Sequence, residues 1–187
     1  SFAAGEPDFD TPRYIQEAAI DAIKNGQTRY TPSIGALDLR KQIAKKFHDD
    51  NGLIYDPKQI AVSCGAKHSI YCIVQILADD GDEVLIPSPY WVSYPEMVKL
   101  AGAVPKFIET TARAHFKVTA KQLEAAITDR TRVLILNSPS NPTGAVYSRE
   151  ELEAIADVCV RKDIFVISDE IYEKLLFDHL QYVSIAS

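Results

Sequence analysis

Apolar and polar positions change their period near residue 52 of the 187-residue chain. Before that point the spacing is helical. Ile15, Ala18, Ala19, Ala22 and Ile23 share one face of a predicted helix that Thr11-Pro12 opens and Asn25-Gly26 stops. A polar loop, QTRYTPSIG, follows. The next helix, ALDLRKQIAKKFHDD, places Leu37, Ile43, Ala44 and Phe47 inward and ends at Asn51-Gly52. Beyond it, short continuous apolar runs alternate with helical spacing. IAVS (60–63) precedes a helix from Lys67 to Leu77, and VLIP (84–87) one from Val92 to Leu100. AVPKFI (103–108) precedes a short helix at Thr119–Ile127, and VLILNS (133–138) a helix at Ser148–Arg161. IFVIS (164–168) is the last predicted strand. The SREE start of the helix at Ser148 has a serine cap and early acids. Strands without a polar side read as buried on both faces. The predicted class is therefore α/β, with a mainly parallel, doubly wound sheet in 53–187 and a helical lead-in over 1–52.

Composition narrows the function classes. Hydrophobic residues make up 47% and charged residues 25%, as in ordinary globular domains. Net charge is −6 with no Lys/Arg block, which argues against nucleic acid as a partner. No apolar run approaches the roughly 20 residues that span a bilayer, and the opening SFAAGEPDFDTP does not read as a secretory signal. The three cysteines Cys64, Cys72 and Cys159 lack CxxC spacing, and the four histidines form no HxxH pair. Free thiols, a cytoplasmic location and no metal site are expected.

The chemistry gathers where strands end. Open α/β sheets bind ligands just past the carboxyl ends of their strands, and two polar segments lie there: SPSNPTG (138–144) and ISDEIY (167–172). They offer the Asn141 amide, the Asp169 carboxylate and the Tyr172 phenol. This set suits a flat ring with a ring nitrogen and a hydroxyl, such as pyridoxal 5′-phosphate (PLP). A carboxylate at the end of an apolar strand is costly to bury without a partner. A protonated ring nitrogen is such a partner, and the pair keeps the ring an electron sink. Taken singly, Asp169 reads as a turn cap and Asn141 as an Asx-turn residue; the combination favours the ligand. Prolines on both sides hold Asn141 in one backbone setting. Asn141 and Tyr172 can both donate to the ring oxygen. Ser63–Lys67 joins a strand to a helix start through Gly65, a setting for a phosphate or for a plain tight turn. Trp91, the only tryptophan, can stack on a ring or fill the core. Tyr30 has no such reading from its own surroundings.

Six stretches together resemble the fold-type I PLP enzymes, specifically the class I/II aminotransferases and their bacterial-type aspartate aminotransferase branch. They are AAGEPDFDTP (3–12), TRYTPSIGALDLR (28–40), SCGAKHSI (63–70), GDEVLIPSPYWVSYPEM (81–97), NSPSNPTGAVYSREEL (137–152) and ISDEIYEKLLF (167–177). The resemblance implies that Gly65, Ala66 and Lys67 hold the cofactor phosphate and that Trp91 stacks on the ring. It implies Asn141 and Tyr172 at the ring oxygen and Asp169 at the ring nitrogen. Gly5 matches a glycine beside the substrate carboxylate, and Trp91 and Asn141 also face substrate. Tyr30 matches a tyrosine that reaches the phosphate of a neighbouring subunit, which implies a homodimer with shared active sites. Lys67 also matches a lysine used for a distal carboxylate, which favours aspartate and glutamate.

The resemblance also implies parts that 1–187 do not supply. The family's Schiff-base lysine is expected beyond Ser187, together with a phosphate-binding arginine and one for the substrate α-carboxylate. The chain is therefore expected to be part of a longer polypeptide, its sheet incomplete at the C-terminal end and inactive alone. The implied reaction of the whole is amino transfer between an amino acid and a 2-oxo acid. A PLP-dependent β-lyase and a non-catalytic ligand-sensing domain are the alternatives.

Overall fold

Four of the five predicted strands form a sheet. The computed structural model describes residues 9–187. In it, β1 (Glu83–Ser88), β2 (Val104–Glu109), β3 (Thr131–Asn137) and β4 (Phe165–Asp169) lie in the order β2-β1-β3-β4. All three pairings are parallel. Parallel neighbours need long crossovers. Here α4 (Ser93–Leu100) links β1 to β2, α5 (Ala120–Ala126) links β2 to β3, and α6 (Arg149–Lys162) links β3 to β4. α3 (Ala66–Leu77) precedes β1.

Strand periodicity sorts the apolar runs onto two faces. Val84, Ile86, Val133, Ile135 and Ile167 pack with Val74 of α3 and Val98 of α4. Leu85, Leu134 and Leu136 pack on the other face with Leu123 of α5 and Ile155 of α6. Helices therefore cover both sides of the central strands β1 and β3, which read as continuous apolar runs rather than alternating ones, while the edge strands β2 and β4 leave Phe107 and Phe165 exposed. The predicted serine cap of α6 closes into a capping box. Ser148 Oγ accepts the Glu151 N–H, and the Glu151 carboxylate accepts the Ser148 N–H.

The strand order sets the position of the site. From β1 the chain moves out to β2, then returns past β1 to lay down β3. That reversal makes a topological switch point between the carboxyl ends of β1 and β3, where doubly wound sheets open a crevice.

Two expectations are corrected, the strand at IAVS and the burial of Leu37. IAVS (60–63) is not a strand of the sheet. Apart from local turn bonds, it makes one backbone bond to a distant segment, from the Val62 N–H to the Ile34 carbonyl at 3.0 Å. The loop at Gly35 approaches so closely that a Cβ there would lie 2.7 Å from the Val62 Cβ, and its φ of +94° also favours glycine. A strand exists only through a ladder partner, and apolarity does not supply one. The predicted first helix forms as α1 (Arg13–Lys24), and its Ile15, Ile20 and Ile23 are exposed. In α2 (Leu37–Asn51), Ile43, Ala44 and Phe47 are half-buried as predicted, but Leu37 is exposed. No helix among the described residues is long and apolar enough to cross a membrane.

Candidate active site

An open cleft of about 1050 Å³ lies at the carboxyl ends of β1, β3 and β4. Ala66, Trp91, Asn141, Asp169 and Tyr172 all line it. Five residues singled out in four separate segments thus meet in one place.

The β3 end builds the first wall. Its last residue, Asn137, donates through Nδ2 to the Asp169 carbonyl (2.8 Å) and to the Pro139 carbonyl (3.1 Å). Its Oδ1 accepts the Asn141 N–H at 2.6 Å. One side-chain amide therefore ties the ends of β3 and β4 and seats the turn that presents Asn141. The turn closes on itself: the Gly144 N–H donates to the Ser140 carbonyl (2.8 Å), and the Ser140 N–H to the Ala145 carbonyl (2.9 Å). Pro139 and Pro142 restrict its backbone further.

Asp169 ends β4 and is only 8% exposed. Its Oδ2 accepts the Tyr94 hydroxyl at 2.6 Å, and its Oδ1 accepts the Ile171 N–H at 3.3 Å. Tyr94 is buried in the first turn of α4. Burial, reinforced by the Asp169 carboxylate, pushes its hydroxyl far above the ordinary tyrosine range. Tyr94 therefore stays a proton donor, and Asp169 receives it as an acceptor. An ionised carboxylate has about four acceptor positions, and these two bonds leave capacity for a further donor from the cleft.

Trp91 lies past the end of β1. Its ring meets Tyr94 edge-on, with centroids 5.4 Å apart and planes at 84°. Lys67 Nζ sits 4.9 Å from the Trp91 ring centroid, within cation–π range. Behind them α3 begins after Gly65, whose φ of +83° suits glycine and strains other residues. The Ala66 and Lys67 N–H groups have no acceptor among the described residues, as the first turn of a helix leaves them. They lend that corner positive potential.

Gly65 and Lys67 adjoin the lining without forming part of it. Tyr30 lies elsewhere, fully exposed and outside the lining. Gly5 falls outside the described residues. Among those residues there is no group of three His, Cys, Asp or Glu side chains able to hold a metal ion. Two residues of the site escaped the sequence reading: Asn137, the last residue of an apolar run, and Tyr94, three residues after Trp91.

The sequence profile of aminotransferase class I and II matches residues 1–187. The chain belongs to this family. Its members depend on PLP. An aspartate aminotransferase of Geobacillus stearothermophilus is 55% identical over 183 residues, covering 98% of this chain and 47% of that protein. The chain thus spans about half the length of the curated relatives it matches. Among solved structures, an aromatic aminotransferase of Pyrococcus horikoshii superimposes with a TM-score of 0.96 at 46% identity, over 98% of this chain and 50% of that one. An aspartate aminotransferase of Thermus thermophilus with maleate gives a TM-score of 0.95 at 46% identity, over 98% and 48%. Aminotransferases of different substrate classes share this half of the fold, so the fold does not by itself choose among them.

Proposed function

We propose that the whole protein is a PLP-dependent aminotransferase that moves an amino group between aspartate or glutamate and a 2-oxo acid. The observation that carries this reading is Asp169, a carboxylate buried at a strand end, with its acceptor capacity incompletely used and facing a cleft. A cationic ring nitrogen is the partner that such a group lacks. The remaining donors fit the rest of the ring: an amide and a phenol in the same cleft, an indole, and free amides at a helix start.

Bound PLP supplies an electron sink for the carbanion formed beside the substrate nitrogen. The residues of this chain bind and tune it. Asp169 holds a proton on the ring nitrogen. Asn141 and Tyr172 donate to the ring oxygen, which stabilises its anionic form. Trp91 stacks on the ring and excludes water from one face. Gly65, Ala66 and Lys67 take the phosphate at the start of α3. Proton transfer at the substrate carbon needs a base, and among the described residues no lysine lines the cleft. We assign that base to a part of the protein outside these residues.

Lys67, beside Trp91, is the residue of this chain suited to a distal carboxylate. The maleate of the Thermus structure is a dicarboxylate of matching kind. Gly5 is proposed near the α-carboxylate. The exposed Tyr30 and the uncovered apolar face of α1 fit a homodimer in which Tyr30 reaches the partner's phosphate. Three free thiols fit a reducing cytoplasm.

The test is product analysis with the purified whole protein, PLP, aspartate and 2-oxoglutarate. Glutamate should form in equal amount to oxaloacetate, with no ammonia. Ammonia released in step with a 2-oxo acid, without glutamate, contradicts amino transfer. Efficient turnover of aromatic but not acidic amino acids contradicts the substrate class.

A further inference from the structure

Tyr172 stands on weak ground. It follows β4 in a turn that is neither helix nor strand. Within that turn the Glu173 N–H donates to the Glu170 carbonyl (3.0 Å), and the Leu175 N–H to the Tyr172 carbonyl (2.8 Å). Its large apolar neighbours Ile171, Leu175 and Phe177 are exposed, so packing does little to fix it. Yet a donor to a ring oxygen must be held to within about half an ångström.

The missing restraint comes from the other end of the chain. The last turns of α2 bring Lys46, Asp50 and Asn51 against this turn, more than 120 positions later in the sequence. Lys46 Nζ lies 2.6 Å from the Glu173 carboxylate, whose side chain is only 15% exposed. Lys46 also donates to Asn51 Oδ1 at 2.7 Å, and Asn51 Nδ2 donates back to Glu173 Oε2 at 3.4 Å. The three side chains close a ring of polar contacts, with Asn51 buried. A second pair, Lys174 with Asp50 at 2.8 Å, runs alongside but is more exposed and so more weakly held.

We infer that Glu173, held by Lys46 and Asn51, is a positioning residue that sets Tyr172 for its bond to the cofactor. This rests on the PLP reading above. It also assigns the end of α2 a task in the site. That helix is then a brace for the turn after β4 rather than only a lead-in. Among the described residues no backbone bond joins the two segments that the clasp spans.

The experiment uses the whole protein, freed of cofactor, and PLP itself as the probe. Glu173→Gln and Lys46→Met each remove the ion pair while keeping most of the side-chain volume. Amide hydrogen exchange at Glu173 and Leu175 should quicken in both. PLP should bind about threefold to tenfold more weakly, the scale of coupling between neighbouring residues. In a Tyr172→Phe background neither change should weaken binding further, because the hydroxyl they position is gone. Lys46→Arg, which keeps the charge, should behave as wild type. Should Glu173→Gln fail to fold, Lys46→Met answers the same question. Unchanged PLP affinity despite faster exchange overturns the inference, since the clasp would then be structural only. An equal loss in the Tyr172→Phe background overturns it as well. Failure of the unmutated protein to bind PLP overturns the cofactor reading itself, and this inference with it.

Discussion

If the whole protein is the proposed aminotransferase, Asp169→Asn is expected to lower its turnover by about a thousandfold or more while leaving its melting temperature nearly unchanged. The two halves of that result have separate causes. On the proposed PLP reading, the substitution removes the negative charge that would hold a proton on the ring nitrogen, and without it the ring would withdraw electrons poorly. A thousandfold fall corresponds to about 4 kcal/mol of barrier. The asparagine keeps the shape and retains a carbonyl oxygen. Tyr94, which is 2% exposed and donates to Oδ2 at 2.6 Å, therefore still finds an acceptor, and only the longer 3.3 Å bond from the Ile171 N–H is lost. Asp169→Ala should do worse, since it also strands the buried Tyr94 hydroxyl, at a further cost of about 1–3 kcal/mol in stability. Steady-state kinetics and a thermal melt on both variants separate the two effects. Near-normal turnover in Asp169→Asn would remove the assigned role.

Leu134→Ala is expected to destabilise the protein by about 2–5 kcal/mol. Leu134 lies in β3, bonded on both sides by β1 and β4. It is fully buried and packs among Leu85, Leu123 and Ile155. The leucine faces away from the sheet side occupied by Val133 and Ile135, yet β3 carries Asn137 at its end. Loosening the strand therefore weakens the seat of Asn141 as well as the core. Leu134→Met, which nearly conserves volume, should cost less than about 1.5 kcal/mol. Denaturant unfolding of the two variants beside wild type provides the comparison. Equal stability of Leu134→Ala and wild type would contradict the placement of this residue at the centre of the sheet.

The legible and illegible parts of the molecule divide along a physical line. VLIP and VLILNS were readable as strands because burial on both faces leaves a local mark: uninterrupted apolar residues with turn formers behind them. IFVIS carries the same mark although the edge strand β4 leaves Phe165 exposed. Asn141, Asp169 and Tyr172 were readable as a set because each follows such a run, and the carboxyl ends of parallel strands converge. IAVS carried the same mark without becoming a strand. Pairing is a property of a neighbour, and Val62 found the Ile34 carbonyl instead. Tyr94 was hidden for a related reason. It sits in a helix where an aromatic residue reads as core, and its bond is to a carboxylate 75 residues later. Asn137 looked like the end of a strand, though its amide ties two strands and a turn. The uncovered face of α1 shows the same limit from the other side. Helical spacing identifies an apolar face but not what covers it.

The measurement closest to the central claim is a crystal structure of the whole protein with PLP bound. The ring nitrogen is expected at roughly 2.7–2.9 Å from the Asp169 carboxylate, the spacing of a charge-assisted hydrogen bond, with Asn141 and Tyr172 on the ring oxygen and Trp91 against the ring face. A ring nitrogen that faces solvent or another residue, with Asp169 bonded only to Tyr94 and Ile171, would contradict it.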